Sequence, residues 1–513
     1  MTSRRLAMLV AATAIGCAAL PRPALAQCDV GYTEAQIRED LEHLAGLISD
    51  LSYQSRVQAM VTGWDAPESI RALARDQRGP LTGDQYRSLV YRAVRFANDP
   101  HTSTLFPAWF AAVPPEKYGE HAPDGLDARA EATTTCLFKA GRSWFDVPPY
   151  ASQYADGETY LLKRVEAEGR SPKIETLGRV VSIDGLTVEA ATRALFGGAS
   201  VRWDERRRRL YVADLARSYA DLKCAGRDGC DFPVVVADKA GRSRTVTVSP
   251  TPRVWPSAAG EAAKAVFLAG NGGVLLLRVP AMSGAEISAR DIREALAGRT
   301  PRHVVIDIRG NGGGDGVWHN LLAKLIARPV TWSATIEGLD DPRVRKRFSI
   351  GEDKRGPSRI AKDIQALTLT NFTFTIEPEA ESIRFAHPIV VLQDDGYFSS
   401  AGSLSAVANL SDDLLSVGDT PGLFLGLGSA PLVFQLPNSG MPVRIPVTVD
   451  VTAADEPSEA FQNRVDVYRP SSPVFRELWQ RTPWKERMSE PFLLRKDEGL
   501  KDAIAASKVA RRP

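Results

Sequence analysis

A chain of 513 residues, 44% hydrophobic and 25% charged, has the composition of a globular protein of roughly two to four domains. Its 64 Lys and Arg nearly cancel 62 Asp and Glu, and a net charge of +2 leaves no electrostatic footprint for a nucleic-acid partner. The basic run 206–209 has few aromatic neighbours and reads as a solvated face, the six scattered histidines form no metal motif, and no cofactor is implied.

Residues 1–26 read as a signal peptide. Arg4 and Arg5 form a basic start, 6–20 is apolar but short for a bilayer span, and Ala24-Leu25-Ala26 is a small-x-small cleavage site. The mature chain is expected to begin at Gln27, in a bacterial periplasm or outside the cell, with no membrane span. Cys17 leaves with the leader, so Cys28, Cys136, Cys224 and Cys230 remain, an even number in an oxidising compartment with three possible pairings. Cys224 and Cys230, separated by AGRDG, can close a small loop, which would leave Cys28 for Cys136; the spacing does not suit a four-sulfur zinc site.

The region 27–130 is helical in pattern. Thr33 can cap a helix running to Leu51, and Leu89, Ala93, Phe96 and Ala97 mark the face of another that Pro100 ends, just before His101. Between 131 and 255 the pattern turns to short strands: LGRVVSIDGLTVEAATRAL gives strand, turn and helix, and DFPVVVADKAGRSRTVTV a hairpin with Ala240-Gly241 near its tip. From 262 to 480 strands alternate with helical patterns, the signature of an α/β core, and 481–513 reads as a helical tail.

Two stretches in that core carry chemistry. HVVIDIRGNGGGDGVWHNLLAKLI, beginning at His303, is a buried strand entering a glycine loop, after which Asp315 can cap a helix. The loop has neither the closing Lys-Ser/Thr of a nucleotide-phosphate loop nor dinucleotide glycine spacing, which leaves an anion or oxyanion cradle. HPIVVLQDDGYFSSAGSLSAVANL, beginning at His387, is a strand, a tight turn with Ser399 and Ser400, and a helix. A hydroxyl there lies beside free N–H groups and the positive end of a helix dipole; taken alone the serines would be a helix cap.

Together, DIRGNGGG, the later SSAG and the VGDTPG that follows resemble the serine peptidases of the C-terminal-processing and tricorn-core type. The resemblance implies a crotonase-like β-α catalytic core, a PDZ-like β-rich insert over 131–255, and a peptide or unfolded protein as substrate. It puts Ser400, the serine followed by Ala401, in the nucleophile's place, with the oxyanion held by N–H groups of Gly312 or Gly313 and of Ala401. C-terminal-processing members take their base from a lysine after VGDTPG, but here no lysine occurs between Asp363 and Trp484. His101, in NDPHTSTL, matches the histidine segment of tricorn-type members and becomes the candidate base, with Glu459 as the nearest match to the family's late glutamate and Asp99 as another group able to orient the ring. The alternative is a non-catalytic peptide- or lipid-binding protein on the same fold, since the family includes retinoid-binding members.

Overall fold

Val274–Arg278, His303–Asp307, Ile389–Gln393 and Leu414–Gly418 place buried side chains on both faces, as strands covered above and below must. In the computed structural model they lie side by side as the parallel centre of a six-stranded sheet, with registers such as Leu276↔Val305, Val305↔Val390 and Val391↔Ser416. Lys264–Leu268 closes one edge antiparallel and Val467–Tyr468 the other edge parallel. The structure describes residues 31–509 except 140–142, 166–170, 225–229, 255–260, 283–285, 386, 410, 421–430, 453 and 462–464; residues 1–26, read from the sequence as a signal peptide, Cys28 and the end of VGDTPG lie outside the described residues.

The two faces of this α/β sheet are covered differently. Leu275, Leu277, Val304, Ile306 and Val391 face the helices Ala289–Leu296, Val317–Ala323 and Ser400–Ala408. Their neighbours Val274, Leu276, Val305, Val390 and Leu392 pack against Met488, Leu493, Leu500, Ala503 and Ile504 of the tail. The tail therefore supplies half of the sheet's cover. It is a set of helices that starts at Pro473, ahead of the boundary at 481 read from the sequence.

The N-terminal helices Glu34–Leu51, Tyr53–Thr62, Ala66–Asp76 and Gly83–Arg95 start as their sequences dictate, with capping boxes at Thr33/Gln36 and Thr82/Gln85. The first, third and fourth share a core with a long hairpin, Val330–Leu339 and Gln365–Ile376, and with a three-stranded sheet in which Ser103–Thr104 pairs Pro442–Ile445, which pairs Leu432–Gln435, whereas Tyr53 and Val57 of the second pack with the strands of 131–255. Simple β-α alternation across 262–480 does not describe this part. The hairpin is the centre of a separate four-stranded sheet completed by Arg355–Pro357 and Thr448–Asp450, and the 432–445 strands return to join a strand from the N-terminal region.

In 131–255, strands 150–155, 158–165, 173–183, 232–237 and 243–248 form an antiparallel sheet, with helices Val188–Ala194 and Leu215–Cys224 beside it. Cys224 and Cys230 are disulfide-bonded, with their Cα atoms 5.5 Å apart. Among the described residues no helix is long and apolar enough to cross a membrane.

Candidate active site

Just after the helix Gly83–Arg95 the chain makes a tight turn through Asn98, in the left-handed region at φ 49°, to His101. Three anchors fix that turn. Asn98 exchanges two hydrogen bonds with the backbone of Val201, at 2.7 and 3.0 Å. Asp99, whose side chain is fully buried, accepts from the His101 N–H at 2.9 Å and from Thr102 Oγ1 at 3.0 Å. Arg444 Nε donates to the His101 carbonyl at 3.0 Å. Held in this way, the imidazole presents Nδ1 to Asp99 Oδ1 at 3.5 Å and Nε2 to a serine hydroxyl at 3.1 Å.

That serine is Ser399. The strand Ile389–Gln393 ends in a turn whose last residue, Ser399, sits at φ 55°, ψ −122°, outside the helix that begins at Ser400. A non-glycine residue at positive φ is strained, and a sharp strand-to-helix turn uses that strain to lift one side chain clear of the first helical turn. Ser400, which the resemblance puts in the nucleophile's place, is already helical. Its hydroxyl donates to the Asp315 carbonyl instead of meeting His101. The turn is braced from below: Gln393 Nε2 donates to Tyr397 OH at 3.2 Å and to the Asp419 carbonyl at 2.9 Å, and Ser405 Oγ donates to Gln393 Oε1 at 2.8 Å. The Phe398 ring lies 4.5 Å from that of His101 and forms its wall.

The glycine loop packs against this turn. The Phe398 N–H donates to the Asn311 carbonyl at 2.9 Å, and Asp394 Oδ1 accepts from the N–H groups of Gly310 and Gly396 at 2.8 and 2.9 Å. Burial pushes the Asp394 carboxyl up, neighbouring Asp395 adds to the rise, and the two amides oppose it. Gly313, at φ 91°, leaves no room for a side chain: a Cβ would come 2.6 Å from the Ser399 Cβ. Two of the three expected amide donors are already engaged. The Gly313 N–H donates to Asn311 Oδ1 at 2.8 Å and the Ala401 N–H to the Phe398 carbonyl at 3.2 Å. The amides of Gly312 and of Ser400, the first helical residue, have no hydrogen-bond partner among the described residues. Asp315 acts near the helix start, accepting from the Val317 N–H at 3.3 Å, although the cap residue itself is Gly316.

Glu459 lies on a short 3-10 helix, Pro457–Phe461, and its Oε2 accepts from the Asp455 N–H at 2.8 Å. The carboxylate beside His101 is that of Asp99, two positions away in the sequence. Arg444 belongs to no motif and is 343 positions from its hydrogen-bond partner, so only the pairing of Ser103 with Arg444 across the small sheet reveals it. Among the described residues no group of three or more His, Cys, Asp or Glu side chains could hold a metal ion.

Residues 273–461 match the model of peptidase family S41. That segment is a serine-type peptidase domain. No curated protein matches the sequence. Among solved structures, mature CPAF complexed with lactacystin aligns at a TM-score of 0.52 with 15% identity, over 87% of this chain and 96% of that one. Mature CPAF alone aligns at 0.50 with 15% identity, over 85% and 92%. At that identity the likeness concerns the fold. The peptidase domain's sheet carries Ser399 and the glycine loop, but the ring that meets Ser399 comes from outside the matched segment, at His101.

Proposed function

We propose that the protein is an exported peptidase that hydrolyses peptide bonds through Ser399, with His101 as general base and Asp99 orienting the imidazole. The observation that carries this reading is the 3.1 Å contact between His101 Nε2 and Ser399 Oγ, made across 298 positions of sequence. Such a contact is within hydrogen-bond reach of proton transfer, and a serine hydroxyl is a weak nucleophile until a base accepts its proton. Asp99 beside Nδ1 favours the tautomer with the proton on Nδ1, leaving the Nε2 lone pair for Ser399.

In this mechanism Ser399 Oγ attacks the peptide carbonyl while His101 Nε2 takes its proton. The oxyanion of the tetrahedral intermediate is held by the open amides of Ser400 and Gly312, each worth a few kcal/mol of barrier where water is excluded. His101 then protonates the leaving amine, and water resolves the acyl-enzyme by the same steps in reverse roles. Ser400 contributes its backbone; its hydroxyl holds the glycine loop through Asp315.

The substrate is a peptide or unfolded protein, in keeping with the matched family. We read the six-stranded sheet and its helices as a crotonase-like core and 131–255 as a PDZ-like insert; export rests on the basic, apolar, small-residue order of residues 1–26. A fluorophosphonate probe tests the centre. Covalent labelling is expected in the wild type and in Ser400→Ala, and none in Ser399→Ala. Label retained by Ser399→Ala and lost by Ser400→Ala would return the nucleophile to Ser400, and a folded wild type that never labels would leave a binding protein.

A further inference from the structure

We infer that Arg444 is a positioning residue for the base: its Nε–H fixes the backbone of the His101 turn and its charge balances buried Asp99. The inference rests on the Ser399–His101 reading above. Arg444 lies on Pro442–Ile445, the middle strand of the small sheet, paired with Ser103 on one side and Val433 on the other. A residue on a strand paired on both sides has little freedom to shift. From there it reaches the His101 carbonyl at 3.0 Å. The Asp99 carboxylate is fully buried, and a buried charge is retained only with a countercharge or enough donors. Its donors are the His101 amide and the Thr102 hydroxyl, both neutral, so the balancing positive charge has to come from a neighbour. Burial lowers the pKa of the Arg444 guanidinium and the nearby Asp99 raises it, so the two groups lie within electrostatic reach of each other.

The consequence falls on His101. With Arg444 present, the turn that carries His101 and Asp99 is tied to the small sheet and has a cation close by; without it, the turn loses a backbone anchor and the carboxylate loses that neighbour. Of the groups that meet His101, Asp99 comes from its own turn, Arg444 reaches the backbone carbonyl from the small sheet, and Phe398 and Ser399 meet the ring from the turn before the helix Ser400–Ala408. Arg444 is the cation in that set. Removing it frees the turn that aims Nε2 at Ser399.

The test compares full-length Arg444→Gln, which keeps a donor and loses the charge, with Arg444→Lys, which keeps the charge. The rate of fluorophosphonate labelling and the thermal midpoint are measured for each variant, the rate against probe concentration. For Arg444→Gln the maximal labelling rate is expected to fall at least about tenfold, with half-saturation within about twofold. Arg444→Lys is expected to stay within about threefold of wild type. The inference is overturned if Arg444→Gln labels like wild type, or if both variants lose rate equally with lowered thermal midpoints. Ser399→Ala in the same series separates the two readings: label surviving there breaks the Ser399 assignment, whereas label lost there with an unaffected Arg444→Gln breaks only the inference.

Discussion

Gly313 is where the glycine loop comes closest to the serine turn, and the packing there admits no side chain. A Cβ would lie 2.6 Å from the Ser399 Cβ, 2.7 Å from the Phe398 carbonyl and 3.0 Å from the Ser400 amide, at a φ of 91° that a β-branched residue resists. Gly313→Val must therefore push the serine turn away from the loop. Labelling of Ser399 is expected to fall at least about a hundredfold, the scale of losing one oxyanion donor, in protein that remains folded by circular dichroism. Wild-type labelling in a folded Gly313→Val would show that the loop does not set the geometry of the centre. The residue types of this site were legible in the sequence: glycines after a buried strand, a serine pair at a strand-helix turn, and a histidine where no lysine was available. Which serine meets the histidine was not. Ser399 and Ser400 differ by one backbone position, and the left-handed φ of Ser399 that separates them leaves no mark on a Ser-Ser pair. Arg444 was invisible for a different reason, since its role depends on a strand pairing between segments more than three hundred positions apart.

Among the elements, the tail matters to the site more than its helical pattern suggests. Arg309, at the start of the glycine loop, is buried between two carboxylates, at 2.7 and 2.9 Å from Asp307 and 2.8 and 2.9 Å from Asp497, with its guanidinium 3.8 Å from the centre of the Trp479 ring. Burial by itself would raise the Asp307 carboxyl, but Arg309 and Arg278 hold it below its usual range. Asp497 also accepts from the Leu500 N–H at 2.9 Å, so a single carboxylate joins the last helix to the loop. Removing one partner of a buried charge cluster strands the others, at a cost of about 3–5 kcal/mol. Arg309→Met is expected to lower stability by that amount in urea unfolding, and adding Asp497→Leu to recover part of it, because one stranded charge is then gone. A loss under about 1 kcal/mol would mean that the cluster is solvated and does not staple the tail to the loop. The continuously apolar strands of the core were readable from their runs, as were the helices with capping boxes. The hairpin Val330–Leu339 with Gln365–Ile376 was not, because Pro329 and a mixture of polar and aromatic residues blur its alternation and its pairing is long-range.

At the scale of the molecule, one charge node joins three regions. Arg202 from the insert pairs with Asp395 of the serine turn at 2.9 Å, and Arg476 from the tail pairs with Asp395 at 3.4 Å and with Asp419 at the end of the strand Leu414–Gly418. The strand can end there because Gly418, at φ 129°, lies against the Gln393 carbonyl, where a Cβ would collide. Asp395 is claimed by both guanidiniums, and although burial opposes them they hold its carboxyl below the usual range. Asp419 has only a share of Arg476, so burial, reinforced by the charge of Asp395 and opposed by Arg476, pushes it up to about 6. The sign of the linkage follows. The folded protein binds a proton at Asp419 more tightly than the unfolded chain does, so this group's contribution is fully present below the unfolded pKa near ~3.9 and is lost as pH rises through about 6. Asp395 and Asp307 work in the opposite sense, contributing above that unfolded value and losing their contribution as pH falls through their depressed folded values. Asp419→Asn removes the first term and leaves the others. Between pH 4.5 and 7.5 the stability of the Asn variant relative to wild type is therefore expected to improve by about 2 kcal/mol, read from urea midpoints at several pH values. A difference that stays flat across that range would mean that Asp419 is ionised throughout, fully paired with Arg476, and that the node joining insert, core and tail is a balanced ion network with no proton to take up.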